Sequence, residues 1–307
     1  MAKLAPIVLF CYNRPNHLRL TIASLKNNYL ADQSSLHIFL DGPKSKKDII
    51  KNNEVFNYIS KINGFAKIKI YRRKTNLGLS LSVISGINFV LKKNDKIIVV
   101  EDDIVTSPFF LKFMNESLNK YEKNLKVWHI AGHSHLKSNE NEIQKVFFSY
   151  YMNCWGWGTW KNRWKMFEKN PNKLINSFSK KDISEFDLED SGLFWSQILK
   201  NASRKINTWA IFWYATIHIR KKLCCNPLKS YVRNIGMDGS GMHCSNSEYL
   251  NNNALYIKPE IKLISKPIFS KKYFKIYKNY FKSQSTSIFK KLFDRINNIL
   301  TSNNFLR

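Results

Sequence analysis

The chain has 307 residues, 44% of them hydrophobic, which is enough to bury a full core and excludes a disordered chain. Its formal net charge of +28 at pH 7 points to anionic partners (nucleic acid, anionic lipid or phosphorylated sugars) without choosing among them. The five cysteines include no C-x-x-C pair and two are adjacent, Cys224 and Cys225, which argues against a disulfide framework or a zinc site and for a reducing compartment. The N-terminal apolar stretch ends at Asn13-Arg14, too short for a signal peptide, and no window reaches the ~18 apolar residues of a membrane span. The expectation is a cytoplasmic protein, with room for peripheral attachment to the inner face of the cytoplasmic membrane.

In chain order, the unbroken apolar run Pro6 to Tyr12 reads as a first strand. Asn13-Arg14-Pro15 turns it into a helix with Leu18, Ile22 and Leu25 on one face. Leu36 to Leu40 is a second strand closed by Asp41-Gly42-Pro43, and Ser45-x-x-Asp48 has the pattern of a capping box for a helix carrying Ile49, Val55, Phe56 and Ile59. Lys67 to Tyr71 alternates as a strand, and a helix after Asn76 places Leu79, Val83, Ile87 and Val90 inward. The order β-α-β-α-β-α-β implies an α/β fold with a Rossmann-like, mostly parallel central sheet flanked by helices.

The fourth strand carries the strongest signal. Lys96 to Val100 is continuously apolar after its lysine and runs straight into Glu101-Asp102-Asp103. Three adjacent carboxylates repel one another unless a cation stands near, and acids at the carboxyl end of a central parallel strand lie where open α/β sheets bind ligands. Asp102 and Asp103 are therefore expected to hold a hard divalent cation, Mn2+ or Mg2+, which in turn holds a phosphorylated substrate. Ser107-Pro108 predicts the start of the next helix, which stripes Phe110, Phe113, Met114, Leu118 and Tyr121 toward the sheet.

Further strands are expected over Val127 to Ala131 and Val146 to Tyr151, with His133 and His135 in the loop between them. Four of the eight tryptophans then crowd into Cys154-Trp155-Gly156-Trp157-Gly158-Thr159-Trp160 and Trp164. An acidic stretch with Asp182, Glu185, Asp187, Glu189 and Asp190 follows, then a helix around Leu193 to Leu199 and the segment Thr208 to Trp213. Asn234 to His243 is a glycine-rich loop ending in histidine, able to bring backbone N–H groups to anionic oxygens. Residues 1–250 read as one domain, with a donor half over about 1–125 and an acceptor half over about 126–250. Residues 251–307 form a basic amphipathic extension in which, from Lys262 onward, Asp294 is the one acid. Such a segment suits an anionic membrane surface, and no recognised nucleic-acid module accompanies it.

The first strand, the acid triplet, the Trp-Gly cluster and the histidine-ended glycine loop, in this order, resemble a GT-A glycosyltransferase of the N-acetylglucosaminyltransferase I type and bacterial sugar transferases similar to it. The resemblance covers roughly Ala5 to Cys244. It implies transfer of a sugar from a nucleoside-diphosphate sugar to a hydroxyl of a glycan or lipid-linked acceptor, with inversion, in surface polysaccharide or lipopolysaccharide synthesis. On it, Asp103 matches the metal ligand, with His243 completing the metal or diphosphate site. Glu101 and Asp102 match the rest of the triplet, Arg14 a diphosphate contact and Asp41 a contact to the base. Trp155 and Trp157 match the floor under the acceptor and sugar. The family's catalytic aspartate has no counterpart in Trp209-Ala210-Ile211-Phe212, so either the base has moved to Asp187, Glu189, Asp190 or Asp238, with Asp190 and Asp238 carried forward, or the mechanism differs and inversion is only the favoured outcome. Two other classes are a nucleotidyltransferase acting on sugar phosphates and a non-enzymatic basic binder of nucleic acid or membrane. The first is disfavoured because Cys11-Tyr12-Asn13-Arg14-Pro15 lacks a glycine-rich phosphate loop, and the second leaves the triplet without a purpose.

Overall fold

The computed structural model describes residues 3–136, 146–238 and 254–285. The chain divides into two compact units, one of residues 1–169 and 208–270, the other of 170–207 and 271–307.

The first unit is α/β. Its elements in order are β1 (Ile7–Cys11), α1 (Pro15–Lys26), β2 (Ser35–Leu40), α2 (Lys46–Ile59), β3 (Lys67–Arg72), α3 (Gly78–Leu91), β4 (Lys96–Glu101), β5 (Ile104–Thr106), α4 (Phe110–Lys120), β6 (Val127–Ala131), β7 (Val146–Ser149), β8 (Trp157–Trp160) and α5 (Lys161–Trp164). After the excursion into the second unit come α9 (Ala210–Ile219), β9 (Leu223–Pro227) and β10 (Val232–Asn234). Eight strands form one sheet in the order β3-β2-β1-β4-β8-β6-β9-β7. β3, β2, β1 and β4 are parallel neighbours. β8 runs antiparallel to both β4 and β6, β9 is parallel to β6, and β7 closes the edge antiparallel to β9. The mostly parallel sheet flanked by helices is the expected fold, with its antiparallel pairings gathered in one half.

Period-2 alternation sorts the core. Ile7, Leu9 and Cys11 join Leu36, Ile38 and Leu40 in one buried cluster with Leu18, Ile22 and Leu25 of α1 and with Phe110, Phe113, Met114 and Leu118 of α4. On the opposite face Phe10 and Phe39 stack 5.4 Å apart under α3, whose Val83, Ile87 and Val90 are buried. Leu79 turns outward instead, 39% exposed, because α3 packs with Ser80 and Ser82 as well as Val83 inward. The capping pair is present: Asp48 Oδ2 accepts from the backbone N–H of Ser45 at 3.0 Å.

One local expectation shifts. Ser107-Pro108 leads into α4, with Ser107 Oγ accepting from Phe109 N–H at 3.3 Å and Ser107 O from Phe110 N–H at 3.1 Å, but the helix proper begins at Phe110, and a short strand, β5, paired with β10, stands between β4 and that turn. Within the Trp-Gly cluster, Trp157–Trp160 is a strand inserted between β4 and β6. Its alternation sends Trp160 toward α4, with Nε1 donating to Leu118 O at 3.1 Å, and Trp157 to the other face against His129, Trp164, Trp209 and Trp213.

The second unit contains α6 (Pro171–Ser177), α7 (Lys180–Phe186), α8 (Trp195–Ala202) and a helix over residues 271–285. Buried Asp187 caps α8, accepting from the N–H groups of Phe194 at 2.7 Å and Trp195 at 3.0 Å. Lys278 of the last helix pairs with Glu189. Tyr277 and Phe281 face inward while Lys271, Lys272, Lys275 and Lys282 are exposed. Among the described residues no helix is long and apolar enough to cross a membrane.

Candidate active site

The order β3-β2-β1-β4 places the third strand at one edge and returns the fourth to the far side of β1, so the topology switches direction between β1 and β4. At such a point the loops after two neighbouring parallel strands diverge and leave a crevice at their carboxyl ends. Arg14 comes from the loop after β1, and Glu101, Asp102 and Asp103 come from the end of β4. The Arg14 guanidinium closes the gap, paired with Asp102 and, at 3.0 Å, with Asp103. Thr21 of α1 donates to Asp102 O at 2.9 Å, which ties the helix to the same turn.

The cluster is largely removed from water, with Asp102 at 4% and Asp103 at 6% exposure. Burial, and after it the charges of Asp103 and Asp102, push the Glu101 carboxyl well above the usual carboxylate range. Burial also raises Asp102, against the pull of Arg14. Arg14 itself is driven up: burial opposes its charge, but the two aspartates outweigh burial. Three carboxylates thus face one guanidinium, and the surplus is negative.

The segment after β10 closes the other side. Ile235 N–H donates to Asp103 O at 2.8 Å, and Gly236 lies so near that a Cβ there would stand 2.3 Å from Asp103 Oδ2 and 2.8 Å from the Arg14 guanidinium. Any larger residue there would have to push the charged pair aside. Two residues on, Asp238 Oδ2 lies 3.1 Å from His17 Nε2, one helical turn along α1 from Arg14. His17 escapes a reading by motif: it lies in the first turn of α1, three residues after Arg14, and no sequence pattern marks it.

The remaining sequence candidates separate. Asp41 is buried, and its carboxylate accepts from Leu77 N–H at 3.0 Å and Gly78 N–H at 2.9 Å, so it caps α3. Trp157 is fully enclosed in the tryptophan core, whereas Trp155 is partly exposed and lies edge-on to His133 at 4.5 Å. Cys154, next to it, is close enough to Glu101 and Asp103 for their charges, after burial itself, to raise its thiol. Asp190 belongs to the second unit, at the end of a left-handed run (Leu188, Glu189 and Asp190 at φ 52, 61 and 65), and accepts from Ser184 at 3.0 Å. His243 and Gly239 to Gly241 lie outside the described residues.

A divalent cation fits the chemistry of this donor set. The acids offer hard oxygen ligands and excess negative charge, and Mg2+-type sites commonly take one or two carboxylates and complete their shell with phosphate oxygens and water. Among the described residues no three His, Cys, Asp or Glu side chains form a ready-made metal cage.

No protein-family model matches the chain, and no curated protein does. Among solved structures, a fragment of S. aureus TarS (residues 1–349) is 11% identical, covering 75% of this chain and 60% of its own, with a TM-score of 0.39. The same fragment in complex with UDP gives 12% identity, 75% and 59% coverage and a TM-score of 0.39. The galactosyltransferase LgtC, in complex with donor and acceptor sugar analogues, is 9% identical over 69% of this chain and 70% of its own, with a TM-score of 0.38. The chain spans about 60% of the TarS fragment. Likeness this distant says nothing of activity.

Proposed function

We propose that the protein is a GT-A-type glycosyltransferase that moves a sugar from a nucleoside diphosphate to a hydroxyl of a glycan or lipid-linked acceptor. The observation that carries this reading is the meeting of Arg14 with Asp102 and Asp103 across the switch point between β1 and β4. A guanidinium beside carboxylates is suited to a diphosphate, which it can bind bidentately as the leaving group's charge develops. Asp103, with Asp102 beside it, would hold Mn2+ or Mg2+, which when bound supplies Lewis-acid stabilisation to the departing diphosphate. Arg14 orients the diphosphate, the backbone around Gly236 excludes water from the charged pair, and His17 with Asp238 fixes the segment that follows. The exposed lysines of the helix over 271–285 suit an acceptor presented at an anionic membrane.

The test is nucleoside diphosphate release from a panel of UDP- and GDP-sugars with Mn2+. Asp103→Ala is expected to lose turnover by at least about 10³-fold, the scale of a lost charge-stabilising group, while keeping its fold by circular dichroism. A variant that turns over like the wild type removes Asp103 from the site.

A further inference from the structure

Two buried histidines follow one another around β6, and they are wired differently. His129 has both ring nitrogens occupied: Nε2 faces Asn153 O at 2.9 Å, and Nδ1 accepts from Trp213 Nε1 at 3.3 Å. That is a satisfied core histidine. His133, two residues past the strand and 3% exposed, has all its hydrogen bonding at Nδ1, which lies 2.9 Å from Ser230 Oγ and 3.3 Å from Val232 O. A carbonyl oxygen accepts and cannot donate. Ser230 Oγ commits its own proton to Val232 O at 2.7 Å and also receives Ser134 N–H at 3.2 Å. With the Ser230 proton on Val232 O, Nδ1 faces two acceptors, which places the ring proton on Nδ1 and leaves Nε2 as a bare lone pair. Among the described residues Nε2 of His133 has no hydrogen-bond partner.

The surroundings show where that lone pair can be used. His133 lies edge-on to Trp155 at 4.5 Å and to His135 at 4.6 Å, and these two rings are the partly exposed members of the group. Asn153 Oδ1 accepts from Trp155 N–H at 2.9 Å, which turns its Nδ2 donor toward His135 Nε2 at 3.1 Å. The group shares a wall with the acid site. Gly132 N–H donates to Gly156 O at 2.7 Å, Cys154 feels the charges of Glu101 and Asp103, and β10, which holds His133 through Val232, runs on to Ile235 and Asp103.

We propose that His133 is the acceptor-side base of the transfer, beside the partly exposed Trp155 ring that the resemblance places under the acceptor. This rests on the glycosyl-transfer reading and supplies the base that the Trp209 to Phe212 segment lacks. The acceptor O–H proton passes to His133 Nε2 while the oxygen's electron pair bonds to the anomeric carbon of the donor sugar. The anomeric carbon's bond to the diphosphate oxygen breaks with its pair, which leaves on the diphosphate beside Arg14. Burial keeps the ring neutral before the step, because it lowers His133 to about 4.

His133→Asn separates the two ring positions, since its amide N–H can still serve Ser230 and Val232 while nothing replaces Nε2. Methyl α- and β-glycosides of glucose, galactose and their 2-acetamido forms serve as acceptor probes. The variant is expected to hold the wild-type melting temperature and UDP affinity, to transfer about 10²- to 10⁴-fold more slowly, and to recover part of that rate with added imidazole. Wild-type transfer in the variant, or a loss of transfer that imidazole leaves untouched, overturns the assignment. In ¹⁵N-histidine spectra of the whole chain, His133 should show the Nδ1–H tautomer, and at least one glycoside should move its Nε2 resonance without donor present. A protonated Nε2, or an Nε2 that no glycoside moves, overturns His133 alone, whereas failure of the wild type to bind UDP or any UDP-sugar overturns the glycosyl-transfer reading beneath it.

Discussion

The two halves of the large sheet solve different problems. From β3 to β4 the strands are parallel, with β2, β1 and β4 buried on both faces, and the loops after β1 and β4 bring Arg14 to Asp102 and Asp103. From β8 to β7 the pairing is largely antiparallel, and the interior is filled by Trp157, Trp164, Trp209 and Trp213 with neutral histidines among them. The first half is held at its functional end by compensating charge and the second by aromatic packing. Each is therefore fragile in its own way: one to loss of a partner ion, the other to loss of volume or to protonation.

The sharpest contrast comes from removing one side chain on each side. Arg14→Ala leaves two buried carboxylates uncompensated and should cost about 3–5 kcal/mol in denaturant unfolding, recovered in large part when Asp102→Asn is added. Trp157→Ala should cost a similar ~3–5 kcal/mol through the cavity it opens, and no charge substitution should recover it. If adding Asp102→Asn leaves the Arg14 loss unchanged, the charge account of the first half fails. Gly236→Ala is next: a Cβ driven against Asp103 and Arg14 should destabilise by about 1–3 kcal/mol and weaken UDP binding, seen together in thermal shift and calorimetry.

A smaller effect should follow pH. Burial lowers His129 to about 3 in the folded protein, below the ~6.5 of an unfolded histidine. Between those values the unfolded chain takes a proton that the folded core refuses, so this contribution to stability is complete above pH 6.5 and is lost as pH falls. The slope is at most ~1.4 kcal/mol per pH unit for one proton. Because the raised carboxyls of Glu101 and Asp102 act with the opposite sign, the comparison is wild type against His129→Gln, whose stability should fall less steeply between pH 6.5 and 4. Equal slopes would show that His129 is not buried neutral. Trp155→Ala should cost less than Trp157→Ala, because the Trp155 ring is only partly buried where Trp157 is fully enclosed, and equal losses in denaturant unfolding would contradict that ordering.

Much of the first half was legible in the amino-acid order, because its signals are local. An apolar run ending in three acids, Ser45 with Asp48, and the Leu18-Ile22-Leu25 stripe each fix an element without reference to distant residues. The expected fold of a mostly parallel sheet with flanking helices follows from them. The short strand β5 was not legible, because Ile104–Thr106 becomes a strand only by pairing with β10, more than a hundred residues later. The strand at Trp157–Trp160 was illegible for a related reason, since two glycines and three large aromatics between Trp155 and Trp160 carry weak strand propensity until β4 and β6 flank them. Asp41 shows a third limit. Its place in an Asp-Gly-Pro turn is readable, but that its oxygens point at the first N–H groups of α3 depends on the return of the chain 36 residues later. His133 was visible as a loop histidine, while its tautomer depends on Ser230 and Val232, nearly a hundred residues away.

The central claim is that the crevice between β1 and β4 binds a nucleoside diphosphate through Asp103 and a divalent cation. Calorimetric titration of the whole chain with UDP and GDP, with and without Mn2+, in the wild type and in Asp103→Asn, tests it most directly. Wild-type binding should tighten at least about tenfold with Mn2+, and the residual binding of the variant should ignore the metal. Wild-type binding with no Mn2+ dependence, or the same dependence in Asp103→Asn, would contradict it.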